Sequence, residues 1–82
     1  SPQKAFYADK VSMPIGETAG KICSEFVMCY PPGIPILAPG EIITPEIIQY
    51  INYAKEKGCS MQGTQDPYVE NLNVLASEGN AW

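Results

Sequence analysis

The sequence of 82 residues contains no histidine, and all five of its basic residues are lysines, so arginine is absent as well. Histidine is the commonest general base and metal ligand, so its absence excludes Ser-His-Asp and Cys-His catalytic pairs within the chain. Arginine is the usual bidentate partner of carboxylates and phosphates. The net charge is −4, with five basic and nine acidic residues. Nucleic-acid binding needs clustered positive charge to contact the phosphates, and this composition does not favour it. We therefore expect no complete catalytic apparatus and no nucleic-acid binding.

Cysteine is scarce and odd in number: Cys23, Cys29 and Cys59, without a Cys-x-x-Cys spacing. A secreted disulfide framework normally has an even and denser set, and a zinc site needs about four ligands. We expect reduced, mostly buried thiols and no bound metal. Long apolar runs are also missing, and no basic leader precedes an apolar stretch, so we expect no membrane segment and a cytoplasmic location.

The composition that is present fits one small domain. Hydrophobic residues make up 45% of the chain and charged residues only 17%. A domain of this size has a modest core, so some apolar residues are expected to pack against a partner outside the chain. We predict a domain over residues 1–76, followed by a polar tail over residues 77–82.

The helix signals are concentrated in residues 45–57. Thr44 suits the N-cap, Pro45 suits the first helical position, and Gly58 suits the position after the helix. An apolar stripe at helical spacing is expected to face the core; it comprises Ile47, Ile48, Ile51 and Ala54.

Strand signals flank that helix on both sides. Residues 22–30 (ICSEFVMCY) are apolar on both parities, which favours a strand buried on both faces. A short helical turn is expected within residues 15–21, and the other predicted strands cover residues 4–13, 34–37, 59–63 and 71–75. The predicted fold class is α/β (α+β), with a small mixed sheet, one main helix, and the helices packed in a single layer on one sheet face.

Residues 30–41 (YPPGIPILAPGE) are the most unusual stretch. Proline fixes φ and removes a backbone donor, so this stretch is neither a central strand nor a helix interior. Its rigidity predicts a shaped, pre-ordered loop that faces a ligand or a partner; the residues that make it rigid are Pro31, Pro32, Gly33, Pro35, Pro39 and Gly40.

These residues carry a resemblance to a known family. YPPGIPILAPGEIIT at residues 30–44, SPQKAFYA at residues 1–8 and PIGETAGK at residues 14–21 resemble the C-terminal domain of the pyridoxal-phosphate-dependent Orn/Lys/Arg decarboxylases. Those are fold-type-I enzymes with an aspartate-aminotransferase-like architecture. The resemblance covers about residues 1–76. This chain departs from the pattern at Cys29, where proline is expected, and at Lys21, where arginine is more usual.

The resemblance implies a parent enzyme that converts arginine, lysine or ornithine to the amine and CO2, in polyamine biosynthesis or acid resistance. In that family, pyridoxal phosphate forms a Schiff base with a lysine that follows a histidine in the large domain, and this chain has no such pair. We therefore expect the isolated chain to be inactive and to bind no cofactor. Its expected partners are the large domain of the parent, a second subunit in a homo-oligomer, and the basic substrate.

Two residues are candidates for substrate contact. Glu41 ends the rigid stretch and offers a carboxylate to a basic substrate; alternatively it caps the neighbouring turn or pairs with a lysine of the parent. Tyr30 offers a hydroxyl or an aromatic wall, with core or interface packing as the alternative. The sequence does not choose among the three substrates.

Two other functions stay open at this stage. One is a stand-alone interaction protein that regulates a full-length decarboxylase. The other is a small binding module that takes up a cationic metabolite on its acidic surface.

Overall fold

The computed structural model describes residues 9–30 and 33–76. The elements, in chain order, are β1 (Lys10–Pro14), a 3-10 turn (Ile15–Glu17), β2 (Val27–Tyr30), β3 (Ile34–Leu37), α1 (Pro45–Glu56), β4 (Ser60–Gln62) and β5 (Asn71–Leu75). This order confirms the predicted α+β class with one main helix and one short helical turn. The predictions for residues 1–8, for Pro31 and Pro32, and for the tail over residues 77–82 lie outside the described residues.

The described strands form two antiparallel sheets, which corrects the prediction of one mixed sheet. The first sheet pairs β1 with β5, with Lys10 opposite Leu75 and Pro14 opposite Asn71. The second has the order β3-β2-β4. Since β3 lies at the edge of its sheet, Pro35 is tolerated there without breaking a central hydrogen-bond ladder.

The prediction of one continuous strand over residues 22–30 is wrong, because residues 24–26 are not in a strand. There the carboxylate of Glu25 accepts hydrogen bonds from backbone groups outside this segment. Its two oxygens accept hydrogen bonds from the backbone N–H of Gln65 (2.9 Å) and of Asn73 (2.7 Å). This interrupts the extended run and leaves Phe26 56% exposed. The remaining strand, β2, alternates between buried and more exposed residues, so it is buried on one face rather than on both.

Residues 20–24, which precede this interruption, form a strap that is hydrogen-bonded along both edges. On one edge, Cys23 donates to the carbonyl of Glu41 (2.8 Å), and Gly40 donates back to the carbonyl of Cys23 (2.8 Å). On the other edge, Ser24 donates to Asn73 (2.9 Å), and Leu75 donates to Ile22 (2.9 Å). The strap therefore connects β5 to the segment that leads into the helix.

Helix α1 confirms the predicted helix in position and in both caps. The hydroxyl of Thr44 accepts from the N–H of Ile47 (3.1 Å) at the start. At the end, Gly58 takes φ +87°, and Cys59 donates to the carbonyl of Ala54 (2.9 Å). This pattern is the Schellman motif, in which glycine adopts the left-handed conformation at low cost.

The core is shared by the helix, both sheets and the connecting segments. The predicted apolar stripe of the helix is confirmed, because Ile51 and Ala54 are buried and Ile47 and Ile48 pack against the core. No helix within the described parts of the chain is long and apolar enough to cross a membrane. The buried hydrophobic cluster comprises Cys23, Val27, Cys29, Leu37, Ile43, Ile51, Ala54, Met61, Val69, Leu72 and Val74.

Gly33 provides a test of the hairpin between β2 and β3. It has φ +94°, and a Cβ placed there would lie 2.7 Å from Cε1 of the Tyr30 ring. We predict that Gly33→Ala lowers the free energy of unfolding by more than the roughly 1–2 kcal/mol that a left-handed alanine costs by itself. Gly40 also has a positive φ, but a Cβ there would meet nothing within 4 Å, so Gly40→Ala should show the backbone cost alone.

Urea unfolding of the chain measures these differences. Gly16→Ala is the matched control, since a Cβ there would also meet nothing within 4 Å. Replacing Tyr30 with alanine in the Gly33→Ala background should recover the steric part of the loss. Equal stability of the Gly33→Ala and Gly16→Ala variants would contradict the strained turn.

Candidate functional site

The predicted rigid stretch contains a tight turn that places Glu41. The N–H of Glu41 donates to the carbonyl of Ala38 (3.1 Å), with Pro39 and Gly40 as the two central residues. Gly40 takes φ +95°, as the third residue of a type II turn requires. Oε1 of Glu41 also accepts a hydrogen bond from the N–H of Ala38 at 2.6 Å. The exposed carboxylate thus folds back on its own turn, which is the capping contact given above as the alternative.

Tyr30 lies at the end of β2, opposite Ser60 of β4. Its side chain is 40% exposed, and its ring stands directly beside Gly33. The hydroxyl is 4.0 Å from the sulfur of Met28, which is a weak contact. The ring therefore offers a partly open face rather than a buried one.

The fold does not bring these two candidate residues together. The ring of Tyr30 adjoins Gly33, just before β3, whereas Glu41 follows the turn after β3. Four residues of a strand span about 13 Å, so the two side chains lie at opposite ends of that strand. One small ligand at this surface would therefore contact Tyr30 or Glu41, but not both.

A shallow groove of about 300 Å³ runs between β3 and the first turns of α1. Its walls include Ile34 and Tyr50, each 43% exposed, and Glu46 also lines it. The sequence pattern does not indicate this groove, because the helical period assigns the isoleucines of α1 to the core. No local pattern indicates which strand packs beside which helical face.

Asp66 is a second carboxylate with well-defined contacts. It accepts hydrogen bonds from the N–H groups of Tyr68 (3.0 Å), Glu70 (2.9 Å) and Asn71 (3.0 Å). These bonds, that of Tyr68 foremost, hold the pKa of the Asp66 carboxyl below its usual value, against a smaller opposing effect of desolvation. They also enclose Val69, which is fully buried and has the strained φ of +51°. The role of Asp66 is therefore to fix this loop.

The cysteines agree with the expectation of mostly buried, reduced thiols. Cys23 and Cys29 are buried, Cys59 is partly buried, and all three are free. Burial raises the pKa of the Cys23 thiol, which donates to the carbonyl of Glu25 at 3.1 Å. Within residues 9–30 and 33–76, no cluster of three or more histidine, cysteine or acidic side chains could hold a metal ion.

The described residues do not fit a pyridoxal phosphate site. Lys55 lines a pocket, but its ammonium donates to the carbonyl of Val69 at 3.2 Å. The acidic residue Glu70 lines the same pocket, and its lining residues include no second cation that could neutralise a phosphate. Lys55 is therefore unsuited to carry this cofactor.

Comparison with known proteins places this fold and its rigid stretch in one family. The family model of the Orn/Lys/Arg decarboxylase C-terminal domain matches residues 2–74. The chain belongs to this family and corresponds to the C-terminal domain of its members. No solved structure matches the chain at a significant level.

Several curated relatives are decarboxylases. The arginine decarboxylase of Bacillus anthracis is 45% identical over 75 residues, which are 92% of this chain and 15% of the relative. The arginine decarboxylase of Bacillus subtilis is 45% identical over 78 residues, covering 95% of this chain and 16% of the relative. The inducible lysine decarboxylase of Escherichia coli is 30% identical over 64 residues, or 74% of this chain and 9% of the relative. The chain thus spans about 15% of the length of its more similar relatives.

Asp66 generates a prediction for acid unfolding. Since its pKa is lower in the folded chain than in the unfolded one, its contribution to stability is complete above the unfolded value of about 3.9. That contribution is lost as the pH falls through the folded pKa. Asp66→Asn should therefore lower the melting temperature at pH 7, and the gap to the wild type should close towards pH 2.

Thermal unfolding between pH 2 and pH 7 measures this gap. Glu56→Gln, at an exposed carboxylate on α1, is the matched control. A gap for Asp66→Asn that stays constant across the pH range would contradict the role of the charged form.

Proposed function

We propose that this chain serves as the C-terminal domain of a pyridoxal-phosphate-dependent enzyme that decarboxylates a basic amino acid, with arginine as the favoured substrate. The observation that carries the proposal is the family match over residues 2–74, which covers the strap, the turn of Glu41 and the helix. Arginine is favoured because the relatives at 45% identity are named arginine decarboxylases, whereas the named lysine decarboxylase is 30% identical.

In such an enzyme the cofactor supplies an electron sink for the electron pair that remains when CO2 departs. The lysine that carries the cofactor and the phosphate cradle belong to the large domain of the parent, which is the expected partner of this chain. This chain would close one wall of the active site. A cytoplasmic location, a homo-oligomeric parent and a role in polyamine synthesis remain predictions from the sequence.

Glu41 is the residue of this chain that we assign to the substrate. Its turn is held by the backbone bond to Ala38 and by the strap at Cys23, so the carboxylate occupies a fixed position. One carboxylate oxygen accepts from Ala38, and the other can accept from a guanidinium or ammonium group. Arginine is absent from this chain, so no cation of the guanidinium type within it competes for that oxygen.

Tyr30 is the second candidate residue, and it offers an aromatic wall at the other end of β3, apart from Glu41. Its ring is partly exposed and is positioned by the Gly33 turn. An aromatic face also attracts cations, with a gain of about 0.5–1 kcal/mol at exposed positions. We expect Tyr30 to act on substrate entry or on domain contact, since it lies apart from Glu41.

Release of CO2 from arginine, lysine and ornithine, with pyridoxal phosphate added, tests the proposal. The full-length parent and the 82-residue chain are assayed side by side. We expect the parent to act on one substrate, arginine, and the chain to act on none. Activity of the chain alone would contradict the assignment of the cofactor lysine to the large domain, and an inactive parent would favour the interaction-protein alternative.

The same assay tests Glu41 in the parent. The amide oxygen of Gln can still accept from Ala38, so Glu41→Gln removes the charge and keeps the turn, whereas Glu41→Ala removes both. We expect both variants to raise KM for arginine by about 10-fold to 100-fold, as the loss of a hydrogen bond to a charged group implies. Glu17→Gln is the control at an exposed carboxylate of the 3-10 turn. Unchanged KM and kcat in Glu41→Gln, with instability only in Glu41→Ala, would limit Glu41 to capping the turn.

A further inference from the structure

Two of the three free cysteines lie on neighbouring strands of the same sheet. Cys29 is in β2, opposite Met61 of β4, and its side chain is 2% exposed. Cys59 lies two residues before Met61, just ahead of β4. Side chains two residues apart in an extended segment point to the same face. Cys59 is thus the diagonal neighbour of Cys29 on the buried face of the sheet.

The Cys59 side chain also affects the Cys29 thiol. The pKa of the Cys29 thiol is raised, first by its interaction with the Cys59 side chain and then by burial. Cys23, by contrast, directs its thiol to the carbonyl of Glu25 and takes no part in this pair. The chain therefore contains one dithiol and one isolated buried thiol, which serves as an internal control.

Cys59 is the member of the pair that solvent reaches. It is partly buried and lines an open pocket of about 370 Å³, together with Ser60 and Tyr68. A small oxidant can enter this pocket, whereas Cys29 is buried and does not line it. This difference in access defines which sulfur reacts first.

We propose that Cys29 and Cys59 form an oxidisable pair that closes to an intramolecular disulfide. A hydroperoxide transfers one oxygen to the Cys59 sulfur, giving a sulfenic acid and water, or an alcohol from an organic peroxide. The Cys29 sulfur then attacks the Cys59 sulfur, the S–O bond breaks, and a second water leaves with the thiol proton. The two thiols are oxidised by two electrons in total, and the peroxide is reduced by two electrons.

Closure requires a small approach of the two segments. Diagonal neighbours in a sheet have Cβ atoms somewhat less than about 7–8 Å apart, whereas a disulfide needs about 3.5–4.5 Å. Cys59 occupies the junction between the Schellman turn of Gly58 and the first residue of β4, outside both regular elements. A shift of this junction is less costly than a shift of the central strand.

The disulfide would join the end of α1 to the strand that leads into the hairpin turn at Gly33. It would enclose the rigid stretch, the turn of Glu41 and the helix in one covalent ring. Oxidation should therefore stabilise this part of the chain, independently of the proposed decarboxylase function.

The test exposes the folded 82-residue chain to hydrogen peroxide, blocks the remaining thiols with an alkylating reagent, and maps the cross-link by peptide mass spectrometry. We expect a Cys29–Cys59 disulfide, a mass loss of about 2 Da before alkylation, and one remaining alkylated thiol at Cys23. The melting temperature should rise by about 5 °C or more on oxidation and return after reduction with dithiothreitol.

Cysteine variants distinguish a Cys29–Cys59 disulfide from other oxidation products of the thiols. Cys23→Ala should keep both the cross-link and the gain in melting temperature. Cys29→Ala should abolish both and leave a sulfenic acid on Cys59 that a dimedone probe captures. A disulfide that includes Cys23, a cross-link only between chains, or three alkylated thiols in the folded wild-type chain would each overturn the proposal.

Discussion

The strap of residues 20–24 links the turn before the helix to β5 through backbone hydrogen bonds. A single extended segment bonds to the turn before the helix on one edge and to β5 on the other. Cys23 and Ser24 within it are buried, so leaving their backbone hydrogen bonds unmade would be costly. The two small sheets share no strand, and the strap, with the common core, holds them in one unit.

The strap also gives the turn of Glu41 a defined position on the surface. Gly40 and Glu41 bond to Cys23 on one side, and Ile43 bonds to Lys21 a few residues later. The turn of Glu41 is therefore fixed at both ends before α1 begins. A carboxylate on such a turn loses little conformational entropy when it binds a ligand. This property suits a surface that forms one wall of a site whose other walls belong to another domain. Because the chain belongs to the Orn/Lys/Arg decarboxylase family, we propose that this wall is part of a decarboxylase active site.

The parts of the fold that could be predicted are those that depend on neighbours in sequence. Thr44, the apolar stripe and Gly58 define α1 almost to the residue, and β5 lies where the sequence predicts it. Positive φ at Gly33 and Gly40 likewise follows from local turn chemistry.

The parts that could not be predicted depend on partners far along the chain. Glu25 interrupts the predicted strand because it bonds to Gln65 and Asn73. Neither contact leaves a pattern in the sequence. The candidate site shows the same division: Glu41 and Tyr30 could be named from the rigid stretch, but their separation by β3 is visible only in the fold.

Native-state hydrogen exchange tests the strap most directly. The amides of Cys23, Gly40 and Ile43 belong to its ladder, whereas the amide of Glu41 bonds only within the local turn to Ala38. We predict that the three ladder amides exchange slowly and share one opening free energy, close to that of global unfolding, while Glu41 opens more readily. Rapid exchange of Gly40 at the rate of Glu41, with Cys23 still protected, would show that the turn is not held by the strap.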